Sequence, residues 1–411
     1  IDFSQLKRIV TEKIIDKYDH ALVLNEAVLA SLKASCYAIS EKVHLVAFQP
    51  TCENLLLDMK FKLQAALEKD GFILDRGFQV LQTSYPEVQR SLDLTALNLH
   101  FFESGAMIKD QLFFNPLRRP FELFSSDILT FRDVFSLARI WFRLQGDVPA
   151  LDGNKQTTQE LIESYSFSDR FKNEFLIPFF QGVFLQETLS QPASLFFYYL
   201  HQFLYGNAAI PAKGMQAIPD QMAASLPADK LQLNQEIVAL NATSITLKSG
   251  ENIAGDAVIL AVDLPVAAKI LGLPTPETLA SRTFYFSAKK ASDEPALLRL
   301  VGEQHLLHFT CLTDVNMGLA PTGKDLYSAT SLRTSTEKEV KEALEKQLPG
   351  QKLTYIHSFD IPHSLQKVDD YEAIKRVANG IVLAGDYLEF PSLQGALSSG
   401  RKAAEEILAR S

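Results

Sequence analysis

The sequence is short of cysteine, of basic charge and of long apolar stretches, and each shortage argues against a class of protein. Its three cysteines, Cys36, Cys52 and Cys311, form no CxxC pair, so neither a zinc knuckle nor a disulfide framework is indicated. This cysteine usage predicts a reducing, cytoplasmic location. The net charge of -9 lacks the basic excess of a nucleic-acid-binding face. No apolar run reaches the roughly 18–20 residues that span a bilayer, which leaves only peripheral membrane contact open.

Glycine is absent from residues 1–70 and first occurs at Gly71, after which it is spread through the chain. A glycine-free start predicts helices with few tight turns. Within it, residues 42–48 are predicted to form a short strand. This compositional break lies close to the expected boundary between a region 1–68 and a region 69–411.

The most informative segment is the C-terminal one, GIVLAGDYLEFPSLQGALSSGRKAAEEIL. It predicts a buried strand over residues 380–384, an acidic loop, and a helix from about Leu393 to Arg410. Asp386 follows the carboxyl end of that strand, where ligands gather in open α/β sheets. The small residues of the helix allow its backbone to come close to a flat ring or a phosphate. The partial positive charge at the helix N-terminus favours a negatively charged group nearby. The alternative to a ligand site is that this strand, loop and helix only complete an α/β sheet, with the small residues serving packing.

This segment resembles the last FAD-contacting motif of the amine-oxidase, protoporphyrinogen-oxidase and phytoene-desaturase superfamily. The resemblance implies that Gly385 and Asp386 contact the ribityl–phosphate part of FAD. It implies that Gly395, Ala396 and Leu397 face the isoalloxazine ring. It also implies an oxidoreductase that transfers a hydride from a small organic molecule to flavin.

Three further segments match the same family in order and spacing. The matching residues are Asp75, Arg76, Gly77 and Phe78, then Pro211, Lys213, Gly214 and Met215, and finally Val238. By resemblance, the first group lies against the flavin, the second opens the second part of the FAD domain, and the backbone of Val238 contacts adenine.

The implied fold class is α/β and α+β. It is an incomplete FAD/NAD(P)-binding Rossmann-like domain with an inserted helical and antiparallel substrate domain. The FAD-facing parts are expected at 69–90, 205–265 and 375–411, and the substrate-domain parts at 91–204 and 266–374.

One element of the family pattern, the dinucleotide-binding G-x-G-x-x-G, occurs nowhere in this sequence. In that motif, the glycines let the backbone approach the pyrophosphate at a helix N-terminus. Its loss removes charge-assisted hydrogen bonds worth roughly 1.5–3 kcal/mol each. We therefore expect lower FAD affinity and impaired activity.

Residues 1–68 resemble part of a 6-pyruvoyl- or 6-carboxy-tetrahydropterin synthase, and so a partial T-fold. The resemblance assigns Asp19 and His20 to the catalytic relay and Glu53 to pterin binding. The alternative is that Asp19–His20 and Glu53 are ordinary features of helix ends. The family's zinc-binding histidines have no counterpart here, so zinc is not expected and the remnant is predicted to be inert. Two alternatives to a flavoenzyme therefore stay open: a pterin-synthase-like lyase remnant, and an inactive fusion of two truncated enzymes.

Three other features have competing interpretations. The aromatic-rich span 165–205 could line a tunnel for an apolar substrate, although a plain hydrophobic core is the more common outcome. Arg118 and Arg119 could clamp a carboxylate, but a solvated loop is the preferred interpretation. His305 and His308 are three residues apart in a predicted strand, which puts them on opposite faces and argues against a shared metal.

Overall fold

A computed structural model describes residues 21–25, 42–46, 71–77, 79–108, 111–115, 117–119, 128–145, 156–226, 231–274, 276–291, 294–303, 305–366 and 380–410. The strands are β1 Ala21–Asn25, β2 Lys42–Val46, β3 Leu81–Gln82, β4 Leu99–Phe101, β5 Gly105–Ile108, β6 Gln111–Phe114, β7 Ala208–Pro211, β8 Ile237–Leu240, β9 Ser244–Leu247, β10 Asn252–Ala254, β11 Ile259–Leu260, β12 Thr278–Lys289, β13 Leu298–Glu303, β14 Leu306–Cys311, β15 Lys324–Leu332, β16 Thr354–Gln366 and β17 Val382–Leu383. The helices are α1 Pro86–Ser91, α2 Phe131–Leu144, α3 Thr158–Ser164, α4 Asp169–Phe171, α5 Ile177–Phe184, α6 Ala193–Tyr205, α7 Ala217–Ala224, α8 Leu264–Ile270, α9 Leu312–Val315, α10 Glu337–Gln347 and α11 Leu393–Arg410. A π-helical segment, Lys172–Leu176, joins α4 to α5.

The largest sheet has mixed orientation. Within the described residues it has seven strands in the order β16-β12-β15-β14-β13-β5-β6. Its pairs are antiparallel except β13 and β5, which run parallel. Helix α10 covers one face because Val340 and Leu344 recur at helical spacing and are fully buried. Thr336 caps that helix by accepting a hydrogen bond from the backbone N–H of Glu339.

The opposite side of the sheet meets a group of helices rich in aromatic residues, α2 and α4 to α6. Helices α2 and α4 are tied together by the buried carboxylate of Asp133, which accepts from the backbone N–H groups of Thr130 at 2.7 Å and Ser168 at 2.6 Å. Burial alone would raise the pKa of Asp133, but these hydrogen bonds lower it below its ordinary value. The aromatic helices are thus held in place beside the sheet.

Two smaller sheets belong to the predicted FAD-facing parts. Strands β8, β9 and β10 form two antiparallel hairpins, and Gly250 lies in the β9–β10 turn at φ +91°. The next strand, β11, pairs in parallel with the C-terminal strand β17. The predicted C-terminal strand and the helix Leu393–Arg410 are both confirmed. The strand is hydrophobic and buried, which explains why its pattern was readable.

In the N-terminal region, the predicted strand at residues 42–48 is confirmed as Lys42–Val46, and it pairs in parallel with Ala21–Asn25. Asp19, His20 and Glu53 lie outside the described residues, as does Phe78. In the described part of the chain, no helix is both long and apolar enough to cross a membrane. The same residues contain no group of three or more His, Cys, Asp or Glu side chains arranged to hold a metal ion.

Candidate active site

Asp75 joins the first predicted flavin-facing segment to the second. Its carboxylate accepts from the backbone N–H of Met215 at 2.9 and 3.0 Å, and its carbonyl oxygen accepts from the Tyr285 hydroxyl at 2.6 Å. Gly214 is needed here, because it has φ +80° and a Cβ would lie 2.9 Å from the Asp75 carboxylate. Burial raises the pKa of Asp75 despite the N–H donors of Met215 and Gln216. Asp75 therefore positions the turn through contacts within the protein.

The next two residues of the motif differ in exposure. Arg76 is exposed, whereas Gly77 is buried at φ +100°, with Ile361 Cδ1 only 3.0 Å from where a Cβ would stand. The carbonyl of Gly77 accepts from Gln79 Nε2 at 2.6 Å. Both Gly77 and Gln79 border a central cavity.

Gly385 and Asp386 lie directly beyond strand β17, as predicted. The backbone N–H of Gly385 donates to Ser399 Oγ at 2.9 Å, which fastens the loop to helix α11. Asp386 is half-buried at the start of a short 3-10 turn. Burial, together with the nearby Asp386 charge, raises the pKa of Tyr387 to about 12. The loop thus places the Asp386 carboxylate just beyond the end of strand β17.

The beginning of helix α11 brings Gly395, Ala396 and Leu397 to the same place. Ser392 Oγ accepts from the backbone N–H of Gly395 at 3.1 Å and so caps the helix. A Cβ on Gly395 would stand 2.0 Å from the carbonyl oxygen of Phe390, so only glycine fits. Ala396 is exposed, and Leu397 packs against the aromatic core. Gly395 therefore lets the Phe390 carbonyl approach the helix closely, and the small Ala396 leaves the start of the helix open to solvent.

Helix α6 contacts the loop that joins β17 to α11 through Tyr198 and Tyr199. The Phe390 ring stacks on Tyr198, with centroids 4.0 Å apart and planes 4° from parallel. The Tyr198 hydroxyl lies 3.1 Å from Ser392 Oγ, and Tyr199 donates to the carbonyl oxygen of Pro391. Burial raises the pKa of Tyr199 far above its ordinary value, so this phenol stays neutral. The loop is consequently rigidly placed between the aromatic helices and α11.

Val238, the predicted adenine contact, lies in β8 and is exposed. It falls at an irregularity in the pairing of β8 with β9, where it has no register partner. Two residues further on, Leu240 packs with Leu383 and Tyr387. Val238 therefore belongs to the same structural unit as the Gly385–Asp386 loop.

A cavity of about 460 Å³ lies between the large sheet and helices α2, α5 and α6. Six of the aromatic residues singled out in the sequence line it: Phe171, Phe175, Phe179, Phe180, Phe196 and Phe203. Others, such as Phe184 and Phe197, are core residues. The span is therefore hydrophobic core, as preferred, and part of that core is also the wall of a cavity, since Phe171, Phe180 and Phe196 belong to both.

The sheet contributes polar side chains to the same cavity. His308 and Thr330 are cross-strand partners, as are Thr310 and Ser328, and all four line it. Burial lowers the pKa of His308 to about 4, so its imidazole is neutral near pH 7. Gln82, on strand β3 of the separate sheet β3-β7-β4, also lines the cavity. The sequence did not predict Gln82 or His308 as cavity residues. The one signal that could have indicated them is that each is a polar residue next to a short run of apolar residues.

The remaining sequence candidates lie elsewhere. His305 lies in the turn before β14 and not in the strand as predicted; it contacts Ser335 and Glu339 on the α10 side, whereas His308 lines the cavity. Arg118 and Arg119 are exposed. Arg118 donates to the carbonyl of Gly206 and Arg119 pairs with Glu103, which agrees with a solvated loop.

The comparisons with known structures concern the fold. A reduced UDP-galactopyranose mutase is 13% identical, with a TM-score of 0.57 over 84% of this chain and 87% of that one. An oxidoreductase from Methanosarcina mazei is 15% identical, with a TM-score of 0.54 over 85% of each chain. A putrescine oxidase variant with redesigned cofactor binding is 14% identical, with a TM-score of 0.53 over 82% and 88%. At these identities the likeness establishes the fold alone.

No curated protein sequence is significantly similar to this chain. The family model described as flavin containing amine oxidoreductase, however, matches residues 65–292, which is more than half of the chain. That span includes the Asp75–Gly77 turn, the Gly214 turn, Val238 and the aromatic helices. The chain therefore belongs to the flavin-containing amine oxidoreductase family.

Proposed function

We propose that this protein is an FAD-dependent oxidoreductase that removes a hydride from an apolar organic small molecule bound in the central cavity. The observation that carries the proposal is the position of Gly77. It borders the cavity, and the family resemblance puts it against the flavin. A molecule in the cavity would therefore lie next to the expected place of the reactive ring.

The residues at the flavin end suit this cofactor chemically. Asp386 offers a half-buried carboxylate for ribityl hydroxyls at the carboxyl end of a strand. Ala396, in the first turn of α11, is exposed, so a ring could approach the helix start there, and the exposed Val238 could contact adenine. When bound, FAD supplies the hydride acceptor.

The side chains around the cavity have two roles in this proposal. Phe175, Phe179 and Phe203 give a substrate an apolar surface and exclude water from it. The stacked Tyr198–Phe390 pair fixes the loop that carries Asp386 relative to this surface. Binding and orientation are therefore the tasks we assign to the protein.

The pyrophosphate end differs, because the sequence contains no G-x-G-x-x-G. We therefore propose that FAD binds more weakly than it would if that motif were present. The division into FAD-facing and substrate-domain parts also remains a proposal.

The N-terminal resemblance to pterin synthases stays a prediction, because Asp19, His20 and Glu53 lie outside the described residues. Stoichiometric zinc in the purified protein would favour the pterin-synthase alternative. Colourless protein that takes up neither FAD nor zinc would favour an inactive fusion.

An FAD titration tests the proposal. Quenching of free FAD fluorescence should show saturable binding to the full chain. Asp386→Asn should weaken it about 10-fold or more, because a charge-assisted hydrogen bond contributes about 1.5–3 kcal/mol. The control Glu342→Gln, an exposed change on α10 behind the large sheet, should leave the affinity unchanged. An absence of saturable binding, or equal affinities in all three proteins, would contradict the proposal.

A further inference from the structure

The amide side chains that line the cavity are not equivalent. Asn115 donates to the carbonyl groups of Phe203 and Leu204 and accepts from the backbone N–H of Leu117. Gln79 donates to the carbonyl of Gly77 and to the Tyr285 hydroxyl. These two amides are occupied by contacts within the protein and hold its segments together.

Gln82 differs from both. It is 5% exposed and lines the cavity, yet neither its amide oxygen nor its amide nitrogen has a hydrogen-bond partner among the described residues. A buried polar group without a partner costs about 1–3 kcal/mol, so native proteins rarely keep one without a reason. Both amide atoms are fully buried beside the cavity, so a ligand group that reaches them would provide an acceptor for the amide N–H and a donor for the amide oxygen.

The charges around the cavity restrict what that ligand group can be. Among the described residues that line the cavity, Glu103 is the one acidic side chain, and there is no lysine or arginine. Glu103 is exposed and already pairs with Arg119 at 3.3 Å. An ammonium or a carboxylate inside the cavity would therefore lose its hydration without gaining a counter-charge.

We infer that the cavity selects an apolar molecule with one uncharged group that both donates and accepts hydrogen bonds, a hydroxyl or a carboxamide, and that the amide of Gln82 recognises this group. The inference rests on the proposed function for treating the cavity as the substrate site. It assigns Gln82 as a specificity-determining residue and sets protonated amines apart from the molecules that this chain binds.

The single tryptophan of the chain, Trp141, lines the cavity and reports on binding without any need for turnover. Four probes of similar size separate the alternatives: octanol, heptyl methyl ether, octylammonium and octanoate. Octanol both donates and accepts, the ether only accepts, and the two ions carry opposite charges near pH 7. We expect octanol to change the Trp141 fluorescence at a concentration about 10-fold or more below that needed for either ion.

The matched variant Gln82→Met keeps the length of the side chain and removes its amide. We expect it to weaken octanol binding about 3- to 10-fold, the equivalent of one hydrogen bond, and to change ether binding less. The control Gln186→Met makes the same change at another buried glutamine, which accepts from Ser190 and does not line the cavity, and should not alter octanol affinity. Thermal melting checks that both variants fold.

Equal binding of octanol and octylammonium, or unchanged octanol binding in Gln82→Met, would overturn the inference. Failure of all four probes to bind folded protein would overturn it too. The FAD titration is read separately. Protein that binds FAD but prefers octylammonium would refute this inference and leave the flavoenzyme intact. Protein that prefers octanol but takes up no FAD would support this inference and refute the flavoenzyme proposal.

Discussion

Replacing Gly395 by alanine tests whether the loop before helix α11 is as tightly placed as its contacts indicate. The new Cβ would stand 2.0 Å from the carbonyl oxygen of Phe390. A comfortable carbon–oxygen separation is about 3.3 Å or more, so one of the two backbones must move by roughly 1.3 Å. The Phe390 side cannot yield freely, because its ring is stacked on Tyr198 and the next carbonyl accepts from Tyr199.

The expected magnitude follows from two opposing effects. Overpacking of this kind costs about 1–3 kcal/mol, and the change from glycine to alanine in a helix returns up to about 1 kcal/mol. We therefore expect Gly395→Ala to lower the free energy of unfolding by about 1–2 kcal/mol. FAD affinity should fall in parallel, since the displaced loop follows Asp386.

Gly400 supplies a matched control on the same helix. A Cβ there would meet nothing within 4 Å, so Gly400→Ala should raise the free energy of unfolding by about 0.5–1 kcal/mol. Urea unfolding followed by circular dichroism measures both variants. Equal shifts in the two variants would mean that the loop can yield freely at Gly395, and would refute the reasoning.

Four further outcomes are expected. Gly214→Ala should destabilise the protein by about 1–3 kcal/mol, because it combines a left-handed backbone with a 2.9 Å approach to the Asp75 carboxylate; a neutral result in urea unfolding would contradict this. Gln82→Met should raise the unfolding free energy of ligand-free protein by about 1–2 kcal/mol, because it removes an unpartnered buried amide; a lower value would mean that the amide has a partner. His308 has a folded pKa of about 4, below its unfolded value of about 6.5, so the unfolded chain takes up the proton first and stability should fall as the pH drops from about 6.5 to about 4. That slope should be shallower in His308→Asn, and an unchanged slope would exclude His308 as its source. Cys311, whose thiol pKa is raised to about 12 by burial, should react with a thiol reagent only after unfolding, as peptide mapping of the labelled protein would show.

Local features of this fold were predictable where the sequence pattern is self-contained. The helix Leu393–Arg410 follows a buried strand and a capped turn, so its ends could be recognised without tertiary information. The hairpins at β8 to β10 are likewise local, and the β9–β10 turn has its signal at Gly250. The hydrogen bonds of these hairpins join strands that are consecutive in the sequence, so a short stretch of sequence is enough to predict them.

Features that depend on distant segments were not predictable. The parallel pairing of β13 with β5 joins strands nearly 200 residues apart, and neither strand carries a sign of its partner. The cavity exists because α2, α5 and α6 leave a gap above the sheet, so periodicity alone could not separate cavity-lining from core phenylalanines. The close contacts at Gly395 and Gly214 were visible only as small residues, and the structure identifies the atoms they accommodate.

The most direct test of the flavoenzyme proposal is to incubate the purified full chain with FAD, remove free flavin by gel filtration, and record the visible absorption of the protein peak. We expect a flavin spectrum to co-elute with the protein and to change when octanol is added, since Gly77 borders the cavity and is proposed to lie against the ring. Protein that elutes colourless at FAD concentrations far above the micromolar range, while remaining folded, would contradict the proposal that this loop and helix hold a flavin.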